Sequence, residues 1–420
     1  MKKKPHKIWF PSLLLSSNNI NSNSWFDINE IKNDTIQHNM IKRQLPEKIE
    51  YTKTIKIPIY PNKKQKKILY TYFETITKIY NLTNEYLKIH SKEDKTILRL
   101  DIIRKALDTQ LKEIHNNSKL NRHTIDYAVK HCIEMYKSCY SRFLKTNKEF
   151  NIRNLEMDRN RLNLVIEPTA FSKKINGFFI TQLGYMKSEK KLKDFKHNCI
   201  LQYQRDTKKY YIISPNDSIN WLSNDRYSKC GIDLGVRTFA TLYSPEKTIE
   251  IGNNMKPIMN LYFKRMNKLN SNFDSKIIKK KLYNKILSKI GNNMRNRIDD
   301  LHKKVSSFLT LNYKEIIIGK MSTKNMVSNI RSNIREITKR ALMTLQFYRF
   351  NDILKNMAFK NGCNVKFINE YKTTKTCHNC HTENNEVGCS HIFKCNHCNI
   401  ELGRDVNASI NIYNMGFLKA

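Results

Sequence analysis

Two Cys-x-x-Cys pairs near the C-terminus constrain this chain more than any other feature. Cys377 and Cys380 form one pair, Cys395 and Cys398 the other, with 14 residues between them. Each pair can wrap one edge of a tetrahedral ion, and the spacer then forms a short hairpin. Thiolates are the preferred soft ligands of structural zinc, and four of them leave no position open to substrate. His378, His381, His391, His397 and Cys389 crowd the same stretch and could replace one thiol. The plainer alternative is four reduced thiols without metal. Cys132, Cys139, Cys199, Cys230 and Cys363 are scattered, so the ten cysteines make no dense disulfide framework. That usage suits a reducing, intracellular compartment.

Charge is the second constraint. Lys and Arg total 76 against 37 acidic residues, a net +39 over 420 residues. Such an excess repels itself unless a polyanion shares the space. Nucleic acid is the expected partner, because Lys and Arg neutralise phosphates and release counterions. Drift towards Lys, Asn and Ile in an AT-rich genome would explain Lys in place of Arg, but not the shortage of acids. No apolar run nears the ~18 residues a membrane span needs. Leu13-Leu14-Leu15 is too short for the core of a secretory signal.

Hydrophobic periodicity divides the rest. Residues 1–50 are polar and read as a loosely ordered extension. Thr54 to Tyr60 alternates like a strand. Pro61-Asn62 then opens a helix with Ile68, Leu69, Tyr72, Phe73, Ile76, Ile79 and Tyr80 at helical spacing. Further helices are expected over Ile102–Ile114 and Ala128–Leu144. Residues 163–213 return to short strands, among them Gly177–Ile180 and Tyr210–Ile213. Gly231 to Val236 reads as a buried strand, followed by a hairpin of Thr238–Tyr243 with Thr248–Ile251. A long helical stretch covers 257–313, with an apolar stripe from Ile278, Leu282, Ile286 and Ile290 to Ile298, Leu301, Val305 and Phe308. A strand over Glu315–Ile318, a helix with Ala341, Leu345 and Tyr348 on one face, a strand over Cys363–Ile368 and a last helix from Asp405 complete an α/β succession, βββ-helix-β-helix-β.

Two acids are placed unlike the others. Asp233 stands in an apolar strand, where an unpaired carboxylate is costly. Asp405 follows Gly403-Arg404 at a helix start, where it could be an N-cap. An ion pair with a lysine would account for Asp233. Together they fit ligation of magnesium, a hard cation that prefers carboxylate oxygen.

At this point the chain resembles a known family. Gly231-Ile232-Asp233-Leu234-Gly235, the two cysteine pairs and Gly403-Arg404-Asp405-Val406-Asn407-Ala408-Ser409 look like the RuvC-like nuclease domain of TnpB proteins. These are transposon-encoded, RNA-guided DNA endonucleases related to type V CRISPR effectors. Ile57-Pro58-Ile59-Tyr60-Pro61 with Lys64-Gln65 resembles their entry strand and first helix, and the likeness runs over about residues 50–415. It implies an RNase H-like nuclease domain at 229–376 and 399–420, with a zinc ribbon at 377–398 inserted in it. A β-rich wedge module at 51–62 and 150–225 would be interrupted by a helical recognition module at 63–149. Guide RNA and target DNA are the implied partners, zinc the structural metal and magnesium the catalytic one. The implied place of action is intracellular: the nucleus or a site of viral DNA replication for a eukaryotic or viral protein, the cytoplasm otherwise. Oligomeric state stays open between monomer and dimer.

The chain departs from the family at one catalytic position. The family places a Glu at the end of the strand before the second long helix, and here Ile316-Ile317-Ile318 runs into Gly319. Either the site is dead, leaving an RNA-guided DNA-binding protein, or a Glu on the neighbouring strand has taken over. Glu370, after Val365–Asn369, is the candidate, and such a relocated Glu marks the Fanzor branch of eukaryotic and giant-virus relatives. A solvated strand end is its plainer reading, and Glu315 and Glu336 are weaker candidates. The resemblance thus implies Asp233, Glu370 and Asp405 as the catalytic, magnesium-binding acids. Lys63, Lys64, Lys66 and Lys67 would contact phosphates, or simply lie solvated. A transposase that joins DNA ends itself also uses three acids on this fold class.

Overall fold

The computed structural model describes residues 24–32, 48–91, 95–221, 226–253, 255–321, 323–328, 334–388 and 390–417. The chain divides into two units, one spanning Glu50–Ile219 and the other Met1–Ile49 with Asn220–Ala420. Strand β1 (Ile28–Lys32) belongs to the latter.

In the unit from Glu50, β2 (Lys48–Ile59) leads into α1 (Lys63–His90). Asn62 and Gln65 start that helix as a reciprocal capping box, each side chain bonding the other's backbone N–H at 2.9 Å. Gln65 is buried and also donates to the carbonyls of Leu183 and Tyr185. Helices α2 (Leu100–Ala106), α3 (Asp108–Ser118) and α4 (Arg122–Thr146) follow, so the helix expected over Ile102–Ile114 is two, broken at Leu107. Strand β3 (Arg161–Ile166), the single turn α5 (Ile180–Leu183), β4 (Cys199–Gln204) and β5 (Lys209–Trp221) complete the unit. Its sheet has the order β2-β5-β4-β3. The strand expected at Gly177–Ile180 does not form. Phe179 takes a left-handed conformation, φ 46°, and turns the chain into α5, while Gly177 packs against the Gly184 carbonyl where a Cβ would have only 2.7 Å.

The other unit carries β6 (Tyr227–Leu234), β7 (Ala240–Tyr243), β8 (Lys247–Ile251), α6 (Met255–Asp274), α7 (Lys280–Asn312) and β9 (Tyr313–Gly319). After these come α8 (Thr323–Ser328), α9 (Glu336–Leu345), α10 (Phe347–Lys360) and β10 (Asn364–Ile368). The small hairpin β11 (Ile392–Lys394) and β12 (Glu401–Gly403) and the last helix α11 (Arg404–Phe417) close the chain. The succession is the expected βββ-helix-β-helix-β, and the six strands order as β1-β8-β7-β6-β9-β10. Strands β6, β9 and β10 run parallel, the others antiparallel. Residues 28–32, inside the stretch read as loosely ordered, are thus the edge strand β1, paired with β8. Residues 1–23 and 33–47 lie outside the described residues.

Alternation divides the central strands between two layers. Cys230, Ile232, Leu234, Ile316 and Ile318 face a core built with α6, α7, α9 and α10. Gly231, Asp233, Ile317 and Gly319 face the opposite way, towards α11. Two expectations change here. The helical stretch at 257–313 breaks between α6 and α7, and only the second half of its stripe is core: Ile298, Leu301, Val305 and Phe308 are buried, whereas Leu282 is 46% exposed. Ala341 and Leu345 share a buried face, but Tyr348 is 79% exposed, because left-handed Gln346 (φ 49°) restarts the helix in a new phase.

Candidate functional site

The four cysteines converge. All four Sγ atoms lie within 4.8 Å of one another, with Cys377–Cys398 at 3.6 Å and Cys380–Cys395 at 3.5 Å. A disulfide would need about 2 Å, whereas thiolates placed tetrahedrally around zinc at about 2.3 Å stand about 3.8 Å apart. The donor set therefore fits a closed zinc site. Two matching knuckles build it. Cys377 N–H donates to the Thr382 carbonyl and His381 N–H to the Cys377 carbonyl; Cys395 and Asn399 repeat both bonds, with Ile400 as the acceptor for Cys395. The fourth residue after each leading cysteine, His381 or Asn399, is left-handed. Hydrogen bonding with the side chain and backbone of Thr382 pulls the Cys380 thiol down to about 5, towards the thiolate that zinc binds, while burial pushes Cys377 up to about 12. None of the four neighbouring histidines is in the cluster. His381 shapes the knuckle turn, and His378 is tied through Nδ1 to Asn407 at 3.1 Å. Cys389 lies outside the described residues.

The three acids gather at one edge of the parallel strands. Asp233 is the penultimate residue of β6 and is 9% exposed. Asp405 lies in the first turn of α11, one residue inside its start rather than at the cap. Helix α11 comes this close because Gly231 has no side chain: a Cβ there would lie 2.6 Å from Tyr413 N and 2.7 Å from the Ser409 carbonyl oxygen. Burial, then repulsion from Asp405 and from Glu370, hold the Asp233 carboxyl well above the usual range, and Arg404 opposes this. Burial also raises Glu370.

Gly319 accounts for the position of Glu370. Ile368 pairs with Gly319, and Glu370 follows two residues on, beyond the ladder and on the same face. Its side chain folds back over the glycine. A Cβ built on Gly319 would lie 2.5 Å from Glu370 Oε2 and 3.2 Å from Glu370 Cβ. That Oε2 is buried and has no hydrogen-bond partner among the described residues. A buried carboxylate oxygen without a donor is costly, and a divalent cation is a partner of the right chemistry. The solvated strand end considered for Glu370 does not fit this burial. Glu315 and Glu336 are elsewhere: Glu315 is four residues back along β9, about 13 Å at ~3.3 Å per residue, and Glu336 is exposed at the start of α9. Among the described residues only the four thiols, and not the three carboxylates, close to within 4.8 Å of one another.

Two family models match this half of the chain, one described as "Cas12f1-like, TNB domain" over residues 347–412, the other as "Probable transposase" over residues 223–329. A "TnpB-like protein" of Acanthamoeba polyphaga mimivirus is 32% identical across 97% of this chain and 86% of its own length. The chain belongs to the TnpB-like family. A second TnpB-like protein of the same virus is 32% identical over 97% of this chain and 84% of itself. One from Methanocaldococcus jannaschii is 27% identical over 36% of this chain and 56% of its own length. Among solved structures, a mini-RNA-guided endonuclease of the Cas-phi type aligns over 86% of this chain and 92% of that one, with 10% identity and a TM-score of 0.44. A Cas12f1-sgRNA-target DNA complex aligns over 87% of this chain and 100% of that one, with 16% identity and a TM-score of 0.32. Family membership rests on the mimivirus relatives.

In this TnpB-like chain the lysines predicted to meet phosphates, Lys63, Lys64, Lys66 and Lys67, are all exposed along the first turns of α1, in the unit from Glu50. Sequence reasoning missed the charged surroundings of His391. Arg237, Arg404 and Lys256 are near enough to His391 to hold its imidazole low, after burial, while Asp405 pulls it up. Only Arg404, inside the quoted motif, carried a sequence signal. No helix among the described residues is long and apolar enough to cross a membrane.

Proposed function

We propose that this TnpB-like protein is an RNA-guided DNA endonuclease, with Asp233, Glu370 and Asp405 as its metal-binding catalytic acids. The observation that carries this is the buried, unpartnered Glu370 oxygen folded over Gly319 on the face that also presents Asp233. Divalent cations bound there would activate a water and neutralise charge on the leaving oxygen of a phosphodiester. The protein's own part is positional. Asp233 is fixed by its strand, Asp405 by the helix start, and Glu370 by its fold over the glycine. The guanidinium of Arg404, 3.4 Å from Asp405, supplies positive charge beside the acids, where a phosphate would sit. The +39 charge supports a guide RNA and a DNA target as partners, and the exposed lysines of α1 are proposed phosphate contacts. Base pairing would read the sequence.

The test uses protein purified with its RNA. The RNA is sequenced, and magnesium-dependent cutting of a matching DNA is measured. Asp233→Ala, Glu370→Ala and Asp405→Ala should each abolish cutting and keep RNA binding. Full cutting by Glu370→Ala would refute the relocated acid. The binding-only reading leans on Gly319; Glu370 folded over that glycine supports the nuclease reading instead, and binding without cutting would favour the binding-only one. A strand-transfer product would favour a DNA-joining transposase instead.

A further inference from the structure

Glu370 lies two residues beyond the last pair of β10, so the sheet ladder does not hold it. Residues 371–375 form turns, in which the Lys372 carbonyl accepts from the Lys375 and Thr376 N–H groups and the Lys375 carbonyl from the Asn384 N–H. Buried backbone carbonyls need donors from somewhere. For Thr373 and Thr376 they come from α11. Asn407 and Asn411, one helical turn apart and both buried, point their amides at this segment. Asn411 Nδ2 donates to the Thr373 carbonyl at 2.9 Å and to the Thr376 carbonyl at 2.7 Å. Asn407 Nδ2 donates to the Thr376 carbonyl at 2.8 Å, and its Oδ1 accepts the His378 N–H at 3.0 Å. Thr373 in turn donates its N–H and its hydroxyl to the Glu370 carbonyl, at 3.3 and 3.0 Å. One helix face thus grips the chain beside Glu370, just before Cys377 and just after it. The same helix carries Asp405.

We propose that Asn407 and Asn411 are positioning residues that fix Glu370 relative to Asp405 and make its placement depend on the zinc module. This rests on the reading of the three acids as a metal-dependent nuclease centre. Neither asparagine touches a reacting atom. They act as outer partners that orient a ligand, a role whose loss costs about 10–100-fold in metal affinity. Without Asn411 the 370–378 segment keeps its covalent ends but loses two of its donors, so Glu370 samples positions away from Asp233 and Asp405.

The experiment compares the full chain, with its co-purified RNA, as wild type, Asn411→Ala and Asn407→Ala. Three quantities are measured: zinc per chain, amide hydrogen exchange over residues 370–378, and the Mn2+ concentration for half-maximal DNA cutting, with Mn2+ binding followed in parallel by electron paramagnetic resonance. Both variants should keep one zinc per chain. Exchange should quicken over 370–378 and stay unchanged in β6. The Mn2+ midpoint should rise about 10–100-fold, with the rate recovering at saturating Mn2+. A lower saturating rate at an unchanged midpoint, or unchanged exchange, would overturn the proposal, since a purely structural role reduces the active fraction and leaves metal dependence alone. Asn411→Ser, smaller in its disturbance, decides the matter in the same way should the alanine variant lose zinc. If the wild type neither binds Mn2+ nor cuts, the nuclease reading fails, and with it the catalytic purpose of the clamp. The exchange measurement still reports whether the two asparagines hold the segment.

Discussion

At the residue scale, the acids explain each other. Asp233 is buried beside two further carboxylates, so its proton is held tightly. A carboxyl raised in the folded state binds more protons there than in the unfolded chain. Metal-free stability therefore falls as pH rises from the unfolded value of about 4 towards the raised folded one. Asp233→Asn should accordingly abolish cutting and raise the metal-free melting temperature at pH 7, by about 2–4 °C for each kcal/mol gained, with a smaller gain at pH 4. Calorimetry at the two pH values checks this, and a lower melting temperature at pH 7 would contradict it. Divalent metal should release protons on binding and bind more weakly in acid, as isothermal titration in buffers of different ionisation heat would register. Gly319 and Glu370 form a second coupled pair, because a side chain at 319 needs the space that the Glu370 carboxylate occupies. Gly319→Glu alone should lose cutting through this clash. Gly319→Glu with Glu370→Ala should regain part of it, by returning the acid to the strand end. No recovery in the double variant would mean that the two positions are not interchangeable.

At the element scale, α11 is the part on which the site depends. It lies against β6 and β9 through glycines on both sides of the contact. Gly231 admits the backbone of α11, and Gly416 on the helix admits Ile317, whose side chain would be 2.6 Å from a Cβ. Gly231→Ala should cost about 1–3 kcal/mol or more, the usual range for overpacking. It should also displace Asp405, so cutting falls more than stability alone explains; a denaturation midpoint measured beside the cutting rate separates the two. The zinc hairpin joins the end of β10 to the start of α11. Cys395→Ser should therefore lose zinc and lose nuclease activity together, with RNA binding retained. Zinc analysis of the variant beside its cutting rate decides this, and unaltered cutting without zinc would sever the link between the centres. The cysteine pairs were legible because their spacing alone defines a tetrahedral set. The clamp of Asn407 and Asn411 was not, since its partners are carbonyls 31 to 38 residues away in the chain.

At the scale of the whole molecule, +39 charges are an expectation about partners rather than about fold. Affinity for RNA should fall steeply with salt, with a log–log slope of about −0.7 for each single-strand phosphate contacted. Replacing Lys63, Lys64, Lys66 and Lys67 together by Gln should flatten that slope when binding is titrated across salt concentrations; an unchanged slope would show these lysines to be merely solvated. By itself the sequence determined the α/β succession, the cysteine quartet at metal spacing, the family likeness, and Asp233 and Asp405 as acids out of keeping with their surroundings. These are local signals: period, spacing and one charge in an apolar run. Only the tertiary structure decided where helices break, because a single left-handed residue such as Gln346 leaves the apolar count unchanged while turning Tyr348 out to solvent. It also decided where Glu370 lies. In sequence the missing acid at Gly319 and the spare one at Glu370 are 51 residues apart. Parallel pairing of β9 with β10 puts them side by side, and the hydrogen on the glycine Cα leaves room for the carboxylate to fold back. That is a property of strand register, and register is set by the packed sheet.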